Sequence, residues 1–242
     1  MGQSLGLVFG DLHLFDKDVG YHKDYPSVCL QCLEYIDKII SEVGATYVIF
    51  TGDLSGALSS RRLQTHVFRL QVIKYFLSYN TKTNGNVYCI KGNHDYATKD
   101  ISEYDFLLGL DLIRNVNRIK FDNKAIHMLD YGQRVSNLDI VSWGKDILIL
   151  HEDLGTENEV MWYYAGPNRK VEECTEYEGV GIILAGHIHS PSPKVISSKI
   201  GEYPVELVYL GCPTRPTLSL KDIWKGVYYA VITENNSQEF DV

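Results

Sequence analysis

Five apolar runs in this chain stop at residues that carry lone pairs, and they stop in much the same way each time. Leu5 to Phe9 leads into Gly10-Asp11-Leu12-His13, and Thr46 to Thr51 leads into Gly52-Asp53. Val87 to Ile90 leads through Lys91 into Gly92-Asn93-His94-Asp95. Asp146 to Leu150 ends in His151, and Val180 to Ala185 ends in Gly186-His187-Ile188-His189. A short, continuously apolar run is the pattern of a strand buried on both faces. In open α/β sheets the carboxyl ends of such strands form the edge where ligands bind. One Asp-x-His or one Gly-Asn turn arises readily from chance or from turn chemistry. Five endings of one kind at the same predicted edge are not explained by packing.

The intervening segments support this reading. After Pro26, the residues Cys29, Leu33, Ile36, Ile40 and Val43 recur at three and four, which predicts an amphipathic helix stopped by Gly44. A second helix is predicted from about residue 61 to 79, with Leu63, Val67, Leu70 and Leu77 on its buried face. Strand, helix, strand, helix, strand predicts a parallel sheet covered on both faces. Beyond Asp95 the pattern changes to a short helix at 101–110 and short strands at 119–121, 125–129 and 138–143. Further strands are predicted at 194–198, 205–210 and 226–232, closing one domain over residues 1–242 with no repeat and no linker. Residues 152–178 read as an inserted loop and helix, with eight acids forming a solvated face and Trp162, Tyr163 and Tyr164 clustered.

Composition bounds the function classes. No apolar run approaches the roughly 20 residues of a membrane span, and no basic and apolar leader opens the chain. Five scattered cysteines make no disulfide framework, and Cys29 and Cys32 fall inside the first helical stripe, where packing is the expected role. A reduced, cytoplasmic protein is expected. The net charge of −8 weighs against a protein that coats duplex nucleic acid. It leaves room for an enzyme whose local positive charge comes from bound metal.

Seven of the strand-end side chains can donate oxygen or imidazole nitrogen to a metal: Asp11, His13, Asp53, Asn93, His151, His187 and His189. No thiolate is among them, so manganese, iron or zinc fits better than a sulfur-bound structural zinc. Seven donors exceed the needs of one catalytic ion with open positions. Two ions about 3.5–4 Å apart, bridged by a carboxylate, are the economical reading. A hydroxide held between them would attack a phosphoryl group, leaving His94, oriented by Asp95, to stabilise or protonate the leaving oxygen.

In this order, Asp-x-His, Gly-Asp, Gly-Asn-His-Asp, a lone His and Gly-His-x-His resemble the calcineurin-like metallophosphoesterase superfamily, over residues 11 to 189. The resemblance implies an α/β (α+β sandwich) fold of two mixed β-sheets flanked by helices. It also implies that Asp11, His13 and His189 hold a first metal and that Asn93, His151 and His187 hold a second. Asp53 would then bridge the two, His94 paired with Asp95 would be the catalytic histidine, and manganese would be a frequent metal. Within the superfamily, Asp11-Leu12-His13-Leu14 and Tyr209 to Arg215, followed by Lys225-Gly226-Val227, resemble the SbcD-like DNA-repair exonucleases. That branch implies DNA as substrate and an ATPase partner subunit. The chain departs from it at Leu210 and Cys212, which stand where proline and serine are usual, and it is short for the DNA-capping and partner-binding segments. Its acidic stretch at 152–178 would also repel a nucleic-acid backbone. A nuclease is therefore placed only somewhat ahead of a small-molecule or nucleotide phosphodiesterase or phosphatase. A non-catalytic metal-binding scaffold is the third reading, and the presence of His94 weighs against it.

Overall fold

In the computed structural model the residues described are 4–18, 23–56, 65–95, 103–155, 169–189, 194–214, 228–233 and the backbone of 238–241. The chain runs β1 (Leu5–Phe9), α1 (Tyr25–Val43), β2 (Tyr47–Phe50), α2 (His66–Lys82), β3 (Val87–Cys89), α3 (Glu103–Gly109), β4 (Arg118–Lys120) and β5 (Ala125–Leu129). It continues with β6 (Asp146–His151), β7 (Leu154–Gly155), β8 (Arg169–Lys170), β9 (Val180–Gly186), β10 (Lys194–Ile200), β11 (Tyr203–Tyr209), β12 (Tyr229–Thr233) and β13 (Gln238–Asp241). One sheet has the order β13-β12-β1-β2-β3 and the other β10-β11-β9-β6-β5-β4. The first is parallel from β1 through β2 to the edge strand β3 and antiparallel on its other side, while the second is parallel through β5, β6, β9 and β11 and antiparallel at both margins. Antiparallel β12 and β13 close the first sheet, while β4 and β10 close the second. These are the two mixed sheets flanked by helices that the family resemblance implies.

Alternation along the strands assigns the layers. Leu7 and Phe9 of β1, with Val48 and Phe50 of β2, face α1 and α2. Their neighbours Val8 and Ile49 point the other way, into a core shared with Ile126, Met128, Ile147, Ile149 and Leu184 of the second sheet. That sheet's far face buries Leu148, Leu150, Ile183 and Leu207 under Val171, Cys174 and Tyr177. Central strands buried on both sides must be apolar at every position, which is why they read as continuous runs. Helix α1 starts with a proline in its first turn, where the missing N–H is no loss. It ends at Gly44, whose φ of 68° lets its N–H reach the Ile40 carbonyl at 3.1 Å.

Several expectations need correction. Among the described residues, α2 buries Phe68, Val72, Phe76 and Tyr79, leaving Val67, Leu70 and Leu77 exposed. Leu63 lies outside the described residues. Two stripes of similar period compete on this helix, and the one holding three aromatic rings removes more area from water. The strand predicted at 138–143 is a loop. Its Val141 and Ser142 N–H groups donate to the buried Asp146 carboxylate at 2.8 and 3.1 Å instead of to a neighbouring strand. Strand β13 was not anticipated. In the acidic stretch the described part holds two 3-10 turns, Val171–Glu173 and Thr175–Tyr177, and residues 156–168 lie outside the described residues. Three of its acids are engaged and not simply solvated: Arg134 and Arg169 donate to Glu152, Arg169 to Glu176, and Ser198 to Glu172. Trp162, Tyr163 and Tyr164 lie outside the described residues. Cys29 and Cys32 are buried in α1, and none of the five cysteines is in a disulfide. Among the described residues no helix is long and apolar enough to cross a membrane.

Candidate metal centre

The segments beyond the parallel strands stay in step after the strands end. His13 N–H donates to the Asp53 carbonyl at 2.8 Å and Leu14 N–H to the Leu54 carbonyl at 2.8 Å, so the loops after β1 and β2 run side by side. His13, Asp53 and His187 hold positive φ values of 46°, 47° and 83°. Left-handed backbone costs a residue with a Cβ on the order of 1–3 kcal/mol and persists only where its surroundings impose it. All three belong to the strand-end set. Gly52, at φ 105°, is required in a stricter sense, because a Cβ there would lie 2.7 Å from His151 Nδ1 and 2.8 Å from Gly92 N.

One donor from each of Asp11, His13, Asp53 and His189 falls in a group whose atoms all lie within 4.8 Å of one another. Asp11 is fixed by the Thr51 hydroxyl, which donates to it at 3.0 Å, and by the His187 N–H at 2.7 Å. His13 Nε2 and His189 Nε2 are 2.7 Å apart. On the other side of Asp53, Asn93 Oδ1 lies 2.9 Å from His151 Nε2 and 3.0 Å from His187 Nδ1. The structure therefore gathers all seven predicted donors into one region, where β1, β2 and β3 of one sheet meet β6 and β9 of the other.

Burial and charge pull the titrating groups in different directions. Burial works against a charge on His151, but Asp11 at 3.6 Å and Asp53 at 3.2 Å outweigh it and raise this imidazole to about 9. Burial pushes His187 and His189 down to about 4 and holds His13 well below its usual value. Burial also pushes Asp11 up to about 7, with Asp53 adding to the rise against the opposing pull of His151. Asp53 is buried too, yet His151 and His13 keep it well below the ordinary carboxylate range.

The donor set fits divalent cations on an observation independent of sequence pattern. Asp53 Oδ2 is buried without a hydrogen-bond partner, although the Nε2 atoms of His151, His13 and His94 lie 3.2, 3.5 and 3.9 Å away. A desolvated carboxylate oxygen facing three imidazoles in this way is poorly served by protons and well served by a metal ion. Oxygen and imidazole donors suit manganese, iron or zinc.

His94 projects into the same space, its ring 5.1 Å from that of His13, and it keeps some solvent access. The expected pairing of His94 with Asp95 is not what the structure has. The Asp95 carboxylate accepts from the N–H groups of Gly92 at 2.9 Å and Ser55 at 3.2 Å, and from the Ser55 hydroxyl at 3.3 Å. The Leu54 N–H adds a fourth bond at 3.4 Å, so Asp95 ties the loop after β3 to the loop after β2, and four donors leave it poorly placed to orient an imidazole. Burial pushes its carboxyl up to about 7, with the charge of Asp53 adding to the shift. The His94 backbone is held by another acid, its N–H donating to Asp53 Oδ1 at 2.8 Å.

Sequence reasoning missed Tyr131. Its exposed ring sits 6.1 Å from that of His151 and 6.0 Å from that of His187, and it lines a groove of about 540 Å³ with Asn93, Asn117, Asp130 and Gln133. Asp130 in that lining accepts from Lys91 N–H at 2.7 Å and from the Asn115 amide at 2.8 Å. A tyrosine two residues past an apolar strand carries no periodic signal. Only the closing of the two sheets brings it to the site. Cys212 was also missed as a site residue, and it groups with His13 and His189 within 4.8 Å.

Comparison with known proteins gives a family match. The family model described as calcineurin-like phosphoesterase matches residues 7–191. Among solved structures, YfcE, a phosphoesterase from E. coli, aligns over 98% of this chain and 97% of its own, at 12% identity and a TM-score of 0.44. No curated protein sequence matches this chain.

Proposed function

Since the chain belongs to the calcineurin-like phosphoesterase family, a family of metal-dependent hydrolases, we propose that it hydrolyses phosphate esters at a two-metal centre and that its preferred substrate is DNA. The observation that supports the two-metal reading is that Asp53 Oδ2 lies 3.5 Å from His13 Nε2 and 3.2 Å from His151 Nε2, one imidazole from each of two donor sets. One is Asp11, His13 and His189, and the other is Asn93, His151 and His187. Two divalent ions, manganese or alternatively iron or zinc, would supply Lewis-acid charge and an activated water there.

The chain's own residues have distinct tasks. Thr51 and the His187 N–H aim the Asp11 carboxylate. The Thr51 carbonyl accepts the His151 Nδ1 proton, which leaves Nε2 as the donor facing the centre. Asp53 Oδ1 holds the backbone of His94, placing that imidazole over the first donor set, where it can pass a proton to a leaving oxygen. Asp95 is a positioning residue for the loop that carries Asn93 and His94. Tyr131 offers an exposed ring beside the second set for a nucleobase to stack on.

The nuclease reading rests on the Asp-Leu-His-Leu and Tyr209-to-Arg215 segments, and with it come an ATPase subunit as partner and a cytoplasmic setting that suits five cysteines without a disulfide. A nucleotide or other small-ester phosphodiesterase is the second reading, favoured by the net charge of −8. Turnover of bis(p-nitrophenyl) phosphate, its monoester, and single- and double-stranded DNA, each with manganese after chelation, separates the two. Degradation of DNA supports the nuclease. Cleavage of small esters alone moves the assignment to the second reading.

A further inference from the structure

Cys212 is an outlier in a site otherwise built from oxygen and imidazole nitrogen. Its burial is almost complete, at 2% exposure, and its donor atom groups with those of His13 and His189. The turn that carries it is built into the end of β1. A Cβ on Gly10 would fall 1.9 Å from the Gly211 carbonyl oxygen, so only glycine lets the turn approach this closely. Gly211 itself holds φ 77°. Beyond Cys212 the turn is locked to the first metal-ligand loop, where the Thr214 hydroxyl donates to the Leu12 carbonyl. The Tyr25 hydroxyl lies 3.0 Å from the His13 carbonyl and 2.9 Å from Thr214 Oγ1, tying α1 into the same knot. Cys212 Sγ sits 3.6 Å from Thr214 Oγ1 inside it.

A second observation at this spot points to a cation. Asp53 Oδ2 is buried without a hydrogen-bond partner and lies 3.5 Å from His13 Nε2, the ring nitrogen that also meets His189 Nε2 at 2.7 Å. A desolvated carboxylate oxygen without a partner is rare in native proteins unless it serves a ligand. Nearby Cys29 is accounted for differently. Its thiol lies 3.8 Å from the Phe15 carbonyl and 4.0 Å from that of His13, both of which can only accept its proton.

We propose that Cys212 is a thiolate ligand of the first metal position, approaching from the side of His13 and His189, and that it makes this position prefer zinc or iron(II) to manganese. The inference rests on the metal-centre reading above and narrows it. On binding, the thiol proton leaves to solvent and the sulfur lone pair goes to the metal, so affinity rises with pH. Thiolate selects thiophilic ions, whereas the carboxylate and imidazole donors alone discriminate weakly among these metals.

Cobalt(II) loaded into the metal-free protein tests this without reference to activity. Expected for the natural chain are visible ligand-field bands together with a near-ultraviolet sulfur-to-cobalt charge-transfer band. Cys212→Ser should keep the former and lose the latter, while Cys29→Ala keeps both. Zinc affinity should fall by roughly 10-fold or more in Cys212→Ser, with manganese affinity changing far less. Ligand-field bands without the charge-transfer band in the natural chain would overturn the thiolate assignment and leave the metal centre standing. Absence of both would overturn the metal centre, and this proposal with it. Should Cys212→Ser fail to fold, X-ray absorption of the zinc-loaded natural chain decides: a sulfur scatterer at about 2.3 Å supports the proposal, and its absence overturns it.

Discussion

His151 Nδ1 lies 2.8 Å from the carbonyl oxygen of Thr51, and a carbonyl can only accept, so that nitrogen carries the proton. The opposite nitrogen, Nε2, is thereby turned toward Asn93 and Asp53. With a value of about 9, the ring is an imidazolium at neutral pH until a metal ion displaces the second proton.

The metal-free protein should lose stability between pH 7 and pH 9. The folded value of His151 is raised above its ordinary 6.5, so its contribution is complete below pH 6.5 and disappears as pH rises through about 9. Asp11 and Asp95, raised from 3.8 to about 7, lose theirs at lower pH. His187 and His189, lowered to about 4, lose theirs only as pH falls through that value. His151 alone among these titrates above pH 7, and its shift is worth at most about 3 kcal/mol. Urea midpoints of the chelated protein should be lower at pH 9 than at pH 7. Equal midpoints would remove the imidazolium assignment.

His94→Ala should lower kcat by roughly 10²–10⁴-fold, the usual range for a lost general acid or base, while the protein binds its metals as before. Metal analysis alongside turnover of a diester is the check. Unchanged turnover would favour the scaffold reading.

Gly52→Ala should damage the site from a position that touches no substrate. The added Cβ meets His151 Nδ1 and Gly92 N at 2.7 and 2.8 Å, and the backbone sits at φ 105°. A stability loss of about 1–3 kcal/mol is expected, together with weaker metal binding because His151 must swing off the Thr51 carbonyl. Thermal unfolding with and without manganese reads both effects.

Tyr131→Ala should raise KM for a nucleic-acid or nucleotide substrate and leave kcat for a small ester near its original value. A stacked base is worth about 1–3 kcal/mol in such substitutions, which corresponds to roughly 5- to 150-fold in KM. Equal KM values across substrates would show that the ring does no stacking.

The strand ends were legible because each is a local event, an apolar run followed within four residues by a donor. Leu5–Phe9 and Ala125–Leu129 have the bounds their apolar runs predict. What the chain does between strands is decided by distant partners and was read less well. The face of α2 depends on which stripe β1 and β2 cover, and the residues around Val141 are held by the carboxylate of Asp146. Asp95 follows His94 directly, which suggested a pair, but its partners are Ser55 from another loop and Gly92. Tyr131 and Cys212 stand beside the donors only after the sheets have closed, and no spacing along the chain announces either.

The donors come from both halves of the sandwich: Asp11, His13, Asp53 and Asn93 follow strands of one sheet, and His151, His187 and His189 belong to or follow strands of the other. An ion held by both sets would act as a rivet beside the seam where Val8 and Ile49 meet Ile149 and Leu184. Any substitution that lets the halves slide, even at the far end of that seam, will therefore register first as weakened ion retention, before the chain itself begins to melt.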